Sequence, residues 1–364
     1  MGAVALLGLS LMLAACSSMG VGQLSSLPDP DKAQYGTGAI KVALITRDQN
    51  DDLADGAPDS AFLAAQFAAD IVAKAPITLL VRRYDGSLTA LQAIEDEMLK
   101  AGVKLVIGPD DEGAAQSLAG TMGRKGVLVL STGGSAAPNV KLFAFGMSGT
   151  VEALLAADEM RRRNYRSIVL VSNPNGTAKV FTSVLATAIA SAKIGVTAVD
   201  GTDPAAAAKK IAALAGTGQV PSAVVFIESA SAASVVMKAL RANPLLAGVP
   251  AVGTSAWAFD PGGAAAMAPG WYLAPESSKI PAFAQQFSKT FGQPPTPAGV
   301  LAYDLIVMAA ALPQLFPGSD PYRIELLTND QGFVGAMGKF WFTADGQVHR
   351  DLFAVDLSGS STGL

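Results

Sequence analysis

Residues 77–108 read ITLLVRRYDGSLTALQAIEDEMLKAGVKLVIG, and this stretch decides the fold. A strand-like run over 77–83, largely apolar from 77 to 81, is followed by an amphipathic stretch over 88–101 and by a second strand-like run over 104–108, apolar from 105 to 107. The apolar residues of the middle stretch recur at helical spacing, with charged residues opposite them. The order predicts a strand, a helix and a second, parallel strand, which is the repeating unit of an α/β sheet.

The same alternation extends on both sides of this unit. The predicted strands are 41–46, 77–83, 104–108, 127–131, 167–172, 195–200, 223–227 and 250–254. The predicted helices between them are 60–74, 88–101, 112–124, 150–163, 177–192, 204–215 and 229–241. Two helices, 281–291 and 296–316, and a hairpin of 339–342 with 351–356 follow. We therefore expect an α/β fold of doubly wound parallel sheets.

Irregular composition interrupts the alternation twice. Residues 141–149 contain a short strand that leads into Gly146 and Gly149, and residues 253–279 are rich in Gly, Pro, Ala and Trp. We interpret both regions as places where the chain passes from one lobe to another. With 364 residues, half of them hydrophobic, the chain is long enough for two cores.

The N-terminal residues have the pattern of a bacterial lipoprotein signal. An apolar run ends in Ala14, Ala15 and Cys16, and Cys16 is the only cysteine of the chain. We expect a signal peptide over 1–15, lipidation of Cys16 and a solvated tether over 16–39. No Lys or Arg precedes the run, so a start further upstream and a chance cysteine are the alternatives.

Composition and motifs exclude several function classes. The net charge is −4, from 26 basic and 30 acidic residues, and gives no basic stripe for nucleic acid. The acidic stretch 48–59 has Leu53 at the position where a calcium loop needs glycine, and it lacks the bidentate glutamate, so we expect no metal site. The single histidine, His349, stands apart from any Ser or Asp cluster, so we expect neither catalysis nor a cofactor. We expect 298–316 to be a buried helix, because it contains Asp304 and because Pro313 would break a membrane span.

Several short motifs lie along the alternating pattern: Gly108-Pro109, Ser131-Thr132-Gly133, Tyr303-Asp304, Gly332-Phe333-Val334-Gly335, Phe342 and Asp345-Gly346. In their order and spacing they resemble those of the type I periplasmic binding proteins, the family of the leucine/isoleucine/valine-binding proteins. The resemblance implies two doubly wound lobes joined by three crossings, with a ligand cleft between them. On that basis we assign 40–146 plus 277–332 to one lobe and 147–276 plus 333–364 to the other.

Ligand contacts in such a sheet come from the residues that follow each strand. The candidate ligand-binding residues are Asp48, Tyr84, Asp110, Ser131, Thr132, Gly133, Asn175, Glu228, Ser229 and Trp257.

Some of these candidates have a second interpretation. The loop 131–135 offers hydroxyls and amides to a carboxylate, as the resemblance implies, or is glycine-rich only for its geometry. Glu228 can pair with a ligand ammonium or cap the helix that begins near Ser229. Tyr84 and Trp257 can contact a ligand with their rings or pack in a core.

Two functions follow from this pattern. The first is capture of a small polar or amphipathic solute for an ABC permease or a sensor. The second rests on a narrower resemblance to the penicillin-binding protein activators, lipoproteins that stimulate a peptidoglycan synthase by contact. The residue after Cys16 is Ser17, which favours a periplasmic protein anchored to the outer membrane. The family-level sorting rule sends lipoproteins that lack Asp at this position to the outer membrane.

Overall fold

The structure is a computed structural model that describes residues 32–47, 59–173, 178–227, 229–275 and 279–357. The chain forms two compact units and passes between them three times. Unit 1 contains the described residues of 1–146 and 277–350, and unit 2 contains those of 147–276 and 351–364. The predictions for Cys16, Ser17, the signal peptide and residues 16–31 of the tether lie outside the described residues. The described end of the predicted tether is packed rather than solvated, because Gln34–Tyr35 forms a strand of the unit 1 sheet and Ala33 is 2% exposed.

The strands are β1 (Gln34–Tyr35), β2 (Ile40–Arg47), β3 (Ile77–Tyr84), β4 (Leu105–Ile107), β5 (Leu128–Ser131), β6 (Leu142–Ala144), β7 (Ser167–Ser172), β8 (Gly195–Asp200), β9 (Ala223–Phe226), β10 (Ala251–Gly253), β11 (Gly270–Pro275), β12 (Phe333–Gly335), β13 (Gly338–Phe342), β14 (Val348–Arg350) and β15 (Leu352–Leu357). The α-helices are α1 (Ser60–Phe67), α2 (Ala69–Ala73), α3 (Leu88–Ala101), α4 (Glu112–Met122), α5 (Gly149–Arg162), α6 (Ala178–Ser191), α7 (Pro204–Gly216), α8 (Ala230–Arg241), α9 (Pro261–Ala265), α10 (Lys279–Phe291), α11 (Pro297–Leu315) and α12 (Ile324–Leu327).

Helix α3 shows how local sequence sets these elements. The Ser87 side chain accepts a hydrogen bond from the backbone N–H of Ala90 and so caps the first turn. The helix ends at Gly102, whose φ of 76° is left-handed and suits glycine. Leu91 and Met98 are buried against the sheet, so the apolar stripe seen in the sequence is the packed face.

The five parallel strands of each main sheet follow the same order, and one antiparallel strand is added at opposite edges of the two sheets. The order in unit 1 is β1-β3-β2-β4-β5-β6, in which only β1 is antiparallel to its neighbour. The order in unit 2 is β15-β11-β10-β9-β7-β8, in which only β15 is antiparallel. The predicted α/β class, with two lobes built on doubly wound parallel sheets, is confirmed. Strand β11 was missed, because it lies in the region rich in glycine and proline.

A third sheet corrects the predicted hairpin. Strand β13 pairs antiparallel with β12 and β14, whereas β15 pairs with β11 in unit 2. The turn at Asp345 and Gly346 therefore joins β13 to β14, not to the strand that starts near residue 351.

The expected lobe boundary between 332 and 333 accordingly moves to 350. The ring of Phe340 packs 4.7 Å from that of Phe145, and Phe342 packs 5.7 Å from Phe143, centroid to centroid. These contacts hold the third sheet against β6, so residues 333–350 lie in unit 1.

Helix α11 crosses the core of unit 1. Among the described helices it alone is long and apolar enough to span a membrane, but most of its residues are buried inside the unit, as in a core helix. The prediction that Pro313 would break it is wrong. Proline cannot donate to the carbonyl four residues earlier, yet the Tyr322 hydroxyl donates to that carbonyl, Ala309 O, over 2.9 Å. The replacement bond lets the helix continue to Leu315.

We expect Tyr322→Phe to lower the free energy of unfolding by about 1–3 kcal/mol, because it leaves the buried Ala309 carbonyl without a donor. Urea unfolding of the whole protein measures this loss of unfolding free energy. Pro313→Ala restores an N–H that can bond the same carbonyl, so Tyr322→Phe should cost less in that background. An equal cost in both backgrounds would contradict the explanation.

Candidate functional site

The strand order reverses at one place in each main sheet. In unit 1 the order changes between β2 and β4, and in unit 2 it changes between β7 and β9. Ligands of open α/β sheets bind outside the carboxyl ends of the strands at such a reversal. The residues that follow these four strands are therefore the first candidates. Of the predicted site residues, Asp48, Asn175 and Glu228 fall at these positions but lie outside the described residues.

Tyr84 ends β3, next to the reversal in unit 1. Its side chain is 3% exposed and packs with the apolar core, yet its hydroxyl makes no hydrogen bond. Burial raises the pKa of the phenol to about 12, assisted by the negative charge of Asp111 and opposed by Arg47. The group therefore stays protonated at neutral pH and can donate to a ligand oxygen.

The start of α1 places a carboxylate at the same edge of the sheet. Asp59 caps the helix by accepting the Ala61 N–H over 2.9 Å, while its second oxygen, Oδ2, is buried without a hydrogen bond. Burial raises the pKa of Asp59, and the Ala61 N–H and the neighbouring Thr46 hydroxyl oppose the shift. Asp110, which follows β4, is exposed and contributes a further negative charge nearby.

The loop after β5 is organised by its own hydrogen bonds. The buried Ser131 hydroxyl donates to Pro109 O over 2.7 Å and accepts the Gly133 N–H over 3.0 Å. A Cβ on Gly133 would lie 2.4 Å from Asp110 O, so only glycine fits there. Ser131 thus shapes the loop from below, and Thr132 and Gly133 are its partly exposed members.

Two predicted residues of unit 2 have structural contacts. Trp257 is fully buried in the core, with its ring 6.3 Å from the rings of both Phe226 and Tyr272. It offers no surface to a ligand in this structure, so we remove it from the candidate set. Ser229 is exposed and caps α8 by accepting the Ala232 N–H over 3.3 Å.

A buried carboxyl in unit 2 was missed by the sequence analysis. Glu152 lies in the first turn of α5, is 5% exposed, and accepts a hydrogen bond from the Ser255 hydroxyl. Ser255 follows β10, so the pair lies at the carboxyl edge of this sheet. A signal was present, because Glu152 precedes Ala156 and Met160 on the buried face of the helix, where a carboxylate is unexpected.

Burial is the largest influence on Glu152. It raises the pKa of the carboxyl, and hydrogen bonds from the Ser255 hydroxyl and backbone oppose the shift. The protonated form is neutral and can donate one hydrogen bond, whereas the ionised form accepts only. Glu152 can thus present either a donor or a negative charge.

A groove of about 520 Å³ lies at the opposite edge of the same sheet, where β10 and β11 begin. The charged residues of the groove pair with charged residues of the same unit. Arg163 contacts Glu159 and Asp356 at 2.7 Å each, and its guanidinium lies 5.1 Å from the ring centre of the buried Trp271. We interpret these contacts as structural and do not assign a ligand to this groove.

In the described ranges, no group of three or more His, Cys, Asp or Glu could hold a metal ion. The exposed His349 stacks on Trp341 with ring centres 4.1 Å apart, on the outer face of the third sheet.

Comparison with known proteins extends this picture. Residues 40–362 match the family model described as periplasmic binding protein. No curated protein matches the chain.

Several solved structures share the fold. One is a putative branched-chain amino acid ABC transporter protein from Rhodospirillum rubrum, with a TM-score of 0.66, 15% identity, and coverage of 88% of this chain and 98% of that one. Another is LivJ from Streptococcus pneumoniae with isoleucine, with a TM-score of 0.62, 17% identity, and coverage of 88% of this chain and 96% of that one. A third is a solute binding protein from R. palustris with benzoate, with a TM-score of 0.63, 16% identity, and coverage of 88% of this chain and 94% of that one. Likeness at these identities establishes the fold alone.

We expect the stability of the protein to depend on pH through Glu152. A raised pKa means that the folded state binds the proton more tightly, so the stabilisation is complete below the model-peptide value of 4.5 and is lost as pH rises through the folded-state pKa. Across that window the wild type should lose up to about 1.4 kcal/mol per pH unit relative to Glu152→Gln. Urea unfolding between pH 4 and 8 measures this.

The exposed Glu325 provides the control. Glu325→Gln should leave the pH profile of the wild type unchanged. Parallel profiles for the wild type and Glu152→Gln would contradict the assignment.

Proposed function

Because the chain belongs to the periplasmic binding protein family, we propose that it captures a small polar or amphipathic solute in a cleft between its two units, for an ABC permease or a sensing system. The repeated strand order carries the proposal, since it gives each unit a reversal of the kind at which ligands bind. The proposed role is non-catalytic. Membership of the family supports a periplasmic location.

The proposed contacts come from the polar groups at the two carboxyl edges. Unit 1 would offer the Tyr84 hydroxyl, Asp110 and the loop at Thr132 and Gly133, with Ser131 shaping that loop. Unit 2 would offer Ser229 and the pair of Glu152 and Ser255. We keep Asp48, Asn175 and Glu228 in the proposal because each follows a strand at a reversal.

Related folds support an amphipathic ligand. LivJ from Streptococcus pneumoniae was solved with isoleucine and the R. palustris protein with benzoate, and each of these ligands joins a carboxylate to an apolar body. The hydroxyls and backbone amides of the unit 1 loop are suited to the carboxylate end of such a ligand.

A panel of small carboxylates and polar solutes, including isoleucine and benzoate, tests the proposal by thermal unfolding and calorimetry. A solute at a hundred times its Kd should stabilise the fold by about 2.7 kcal/mol. Tyr84→Phe should weaken binding of that solute about tenfold, by the loss of one hydrogen bond, without lowering the stability of the free protein. A folded protein that binds no member of the panel and retains no solute from native extract would refute solute capture.

We propose that the protein is anchored to the membrane by lipidated Cys16, the only cysteine and the last residue of an AAC motif. Ser17 after it favours the outer membrane, and an outer-membrane anchor favours a second role, that of a penicillin-binding protein activator contacting a peptidoglycan synthase.

Membrane fractionation and affinity capture test the anchor and the partner together. Wild type should fractionate with the envelope, whereas Cys16→Ser should be released. Capture of a peptidoglycan synthase from cross-linked envelopes would favour the activator role, and capture of a permease would favour transport. An unmodified Cys16 thiol in the mature protein would refute the anchor.

A further inference from the structure

A buried guanidinium lies against two aromatic rings of unit 1 that also contact each other. Arg350 is 6% exposed, and its three guanidinium nitrogens are buried without hydrogen bonds. The guanidinium carbon lies 4.2 Å from the ring centre of Phe145 and 4.9 Å from that of Phe340. These stacking contacts, rather than hydrogen bonds, therefore hold the cation in place.

Asp304 supplies the nearby negative charge. Its carboxylate is fully buried and accepts the backbone N–H groups of Ala336 over 2.6 Å and of Met337 over 3.1 Å. Burial lowers the pKa of Arg350 to about 10, opposed by Asp304, so the guanidinium remains charged at neutral pH. The Arg350 side chain thus makes two separable interactions, an electrostatic attraction to Asp304 and contacts with two aromatic rings.

Phe145, whose ring contacts Arg350, supports the candidate ligand loop through its backbone. The Phe145 N–H donates to Ser131 O over 2.8 Å, and the next N–H, of Gly146, donates to Gly133 O over 2.9 Å. These two hydrogen bonds join the end of β6 to both sides of Thr132. Any movement of Phe145 would therefore be transmitted directly to the 131–133 loop.

Close packing around the loop leaves little room for compensation. A Cβ on Gly146 would lie 2.6 Å from the Thr132 and Gly133 carbonyl oxygens, and one on Gly133 would lie 2.4 Å from Asp110 O. A backbone packed at this distance shifts as one piece when one strand moves.

We propose that Arg350 is a positioning residue that fixes the 131–133 loop by forming, together with Phe340, a clamp on Phe145. The guanidinium carbon lies 4.2 Å and 4.9 Å from the two ring centres. A methionine there would carry no positive charge, and a lysine would lack the planar guanidinium. The relevance of this clamp to solute binding rests on the function proposed above. The clamp itself is a property of the protein without solute.

Hydrogen–deuterium exchange tests the clamp, because its reporters are amides already identified. In Arg350→Met, the amides of Phe145 and Gly146 should exchange roughly tenfold faster or more, since the stacking contacts are lost. The amides of Val42 and Leu44 in β2, in the same sheet, should keep their rates. Peptides that resolve 129–133 and 142–148 by mass spectrometry are sufficient.

Two further variants separate stacking from charge. Arg350→Lys keeps a cation near Asp304, so the amides of Ala336 and Met337 should exchange as in the wild type while those of Phe145 and Gly146 stay fast. Phe145→Leu keeps the electrostatic attraction between Arg350 and Asp304 and removes the ring, so it should accelerate the same two amides even if Arg350→Met does not fold.

The control is Lys339→Met, which removes a cation 5.1 Å from the centre of the Trp341 ring on the outer face of the third sheet. It should leave Phe145 and Gly146 unchanged. Acceleration spread equally over β2 and residues 145–146 in Arg350→Met and Phe145→Leu would overturn the proposal. The experiment needs no solute, so its outcome is independent of whether solute capture is correct.

Discussion

One buried carboxylate fixes how the last third of unit 1 is assembled. Asp304 lies in the core helix α11 and accepts two backbone N–H groups from the turn between β12 and β13. A hydrogen bond to a charged group contributes about 1.5–3 kcal/mol, so two of them hold the turn strongly. Gly335 is required beside it, because a Cβ there would lie 2.3 Å from the carboxyl carbon. The third sheet is thus docked on unit 1 before the chain leaves for the second unit.

The two main sheets could be predicted from sequence because their signal is local and repeated. Each parallel strand is a short apolar run, and each crossover helix carries its own cap and apolar stripe, as α3 does from Ser87 to Gly102. The docking of the third sheet depends instead on contacts between residues far apart in the chain, such as Asp304 with Met337. No periodicity carries that information, so the boundary at 350 was misplaced.

Pro313 illustrates a second limit. Its expected effect as a helix breaker follows from a missing N–H and is sound for an isolated helix. The Tyr322 hydroxyl, nine residues later, satisfies the carbonyl that proline leaves without a donor. A rule based on one residue fails where a tertiary hydrogen bond replaces the local one.

The sequence predicts at which strand ends a ligand site could lie, but not how the side chains there are oriented. Strand ends identify which residues can reach a ligand, but they do not say which way each side chain turns. Trp257 turns into the core, and the Ser131 hydroxyl turns to the backbone of Pro109 and of its own loop. Glu152 reaches the same edge of its sheet from a helix, which a search of strand ends does not cover.

The three tryptophans of the chain are divided between the units by environment. Trp257 and Trp271 are completely buried in unit 2, whereas Trp341 lies partly exposed on unit 1, stacked on the only histidine. Acrylamide in the solvent should therefore quench the fluorescence of unit 1 and spare the blue-shifted emission of unit 2. The native protein thus carries an intrinsic optical probe for each half, with no dye attached.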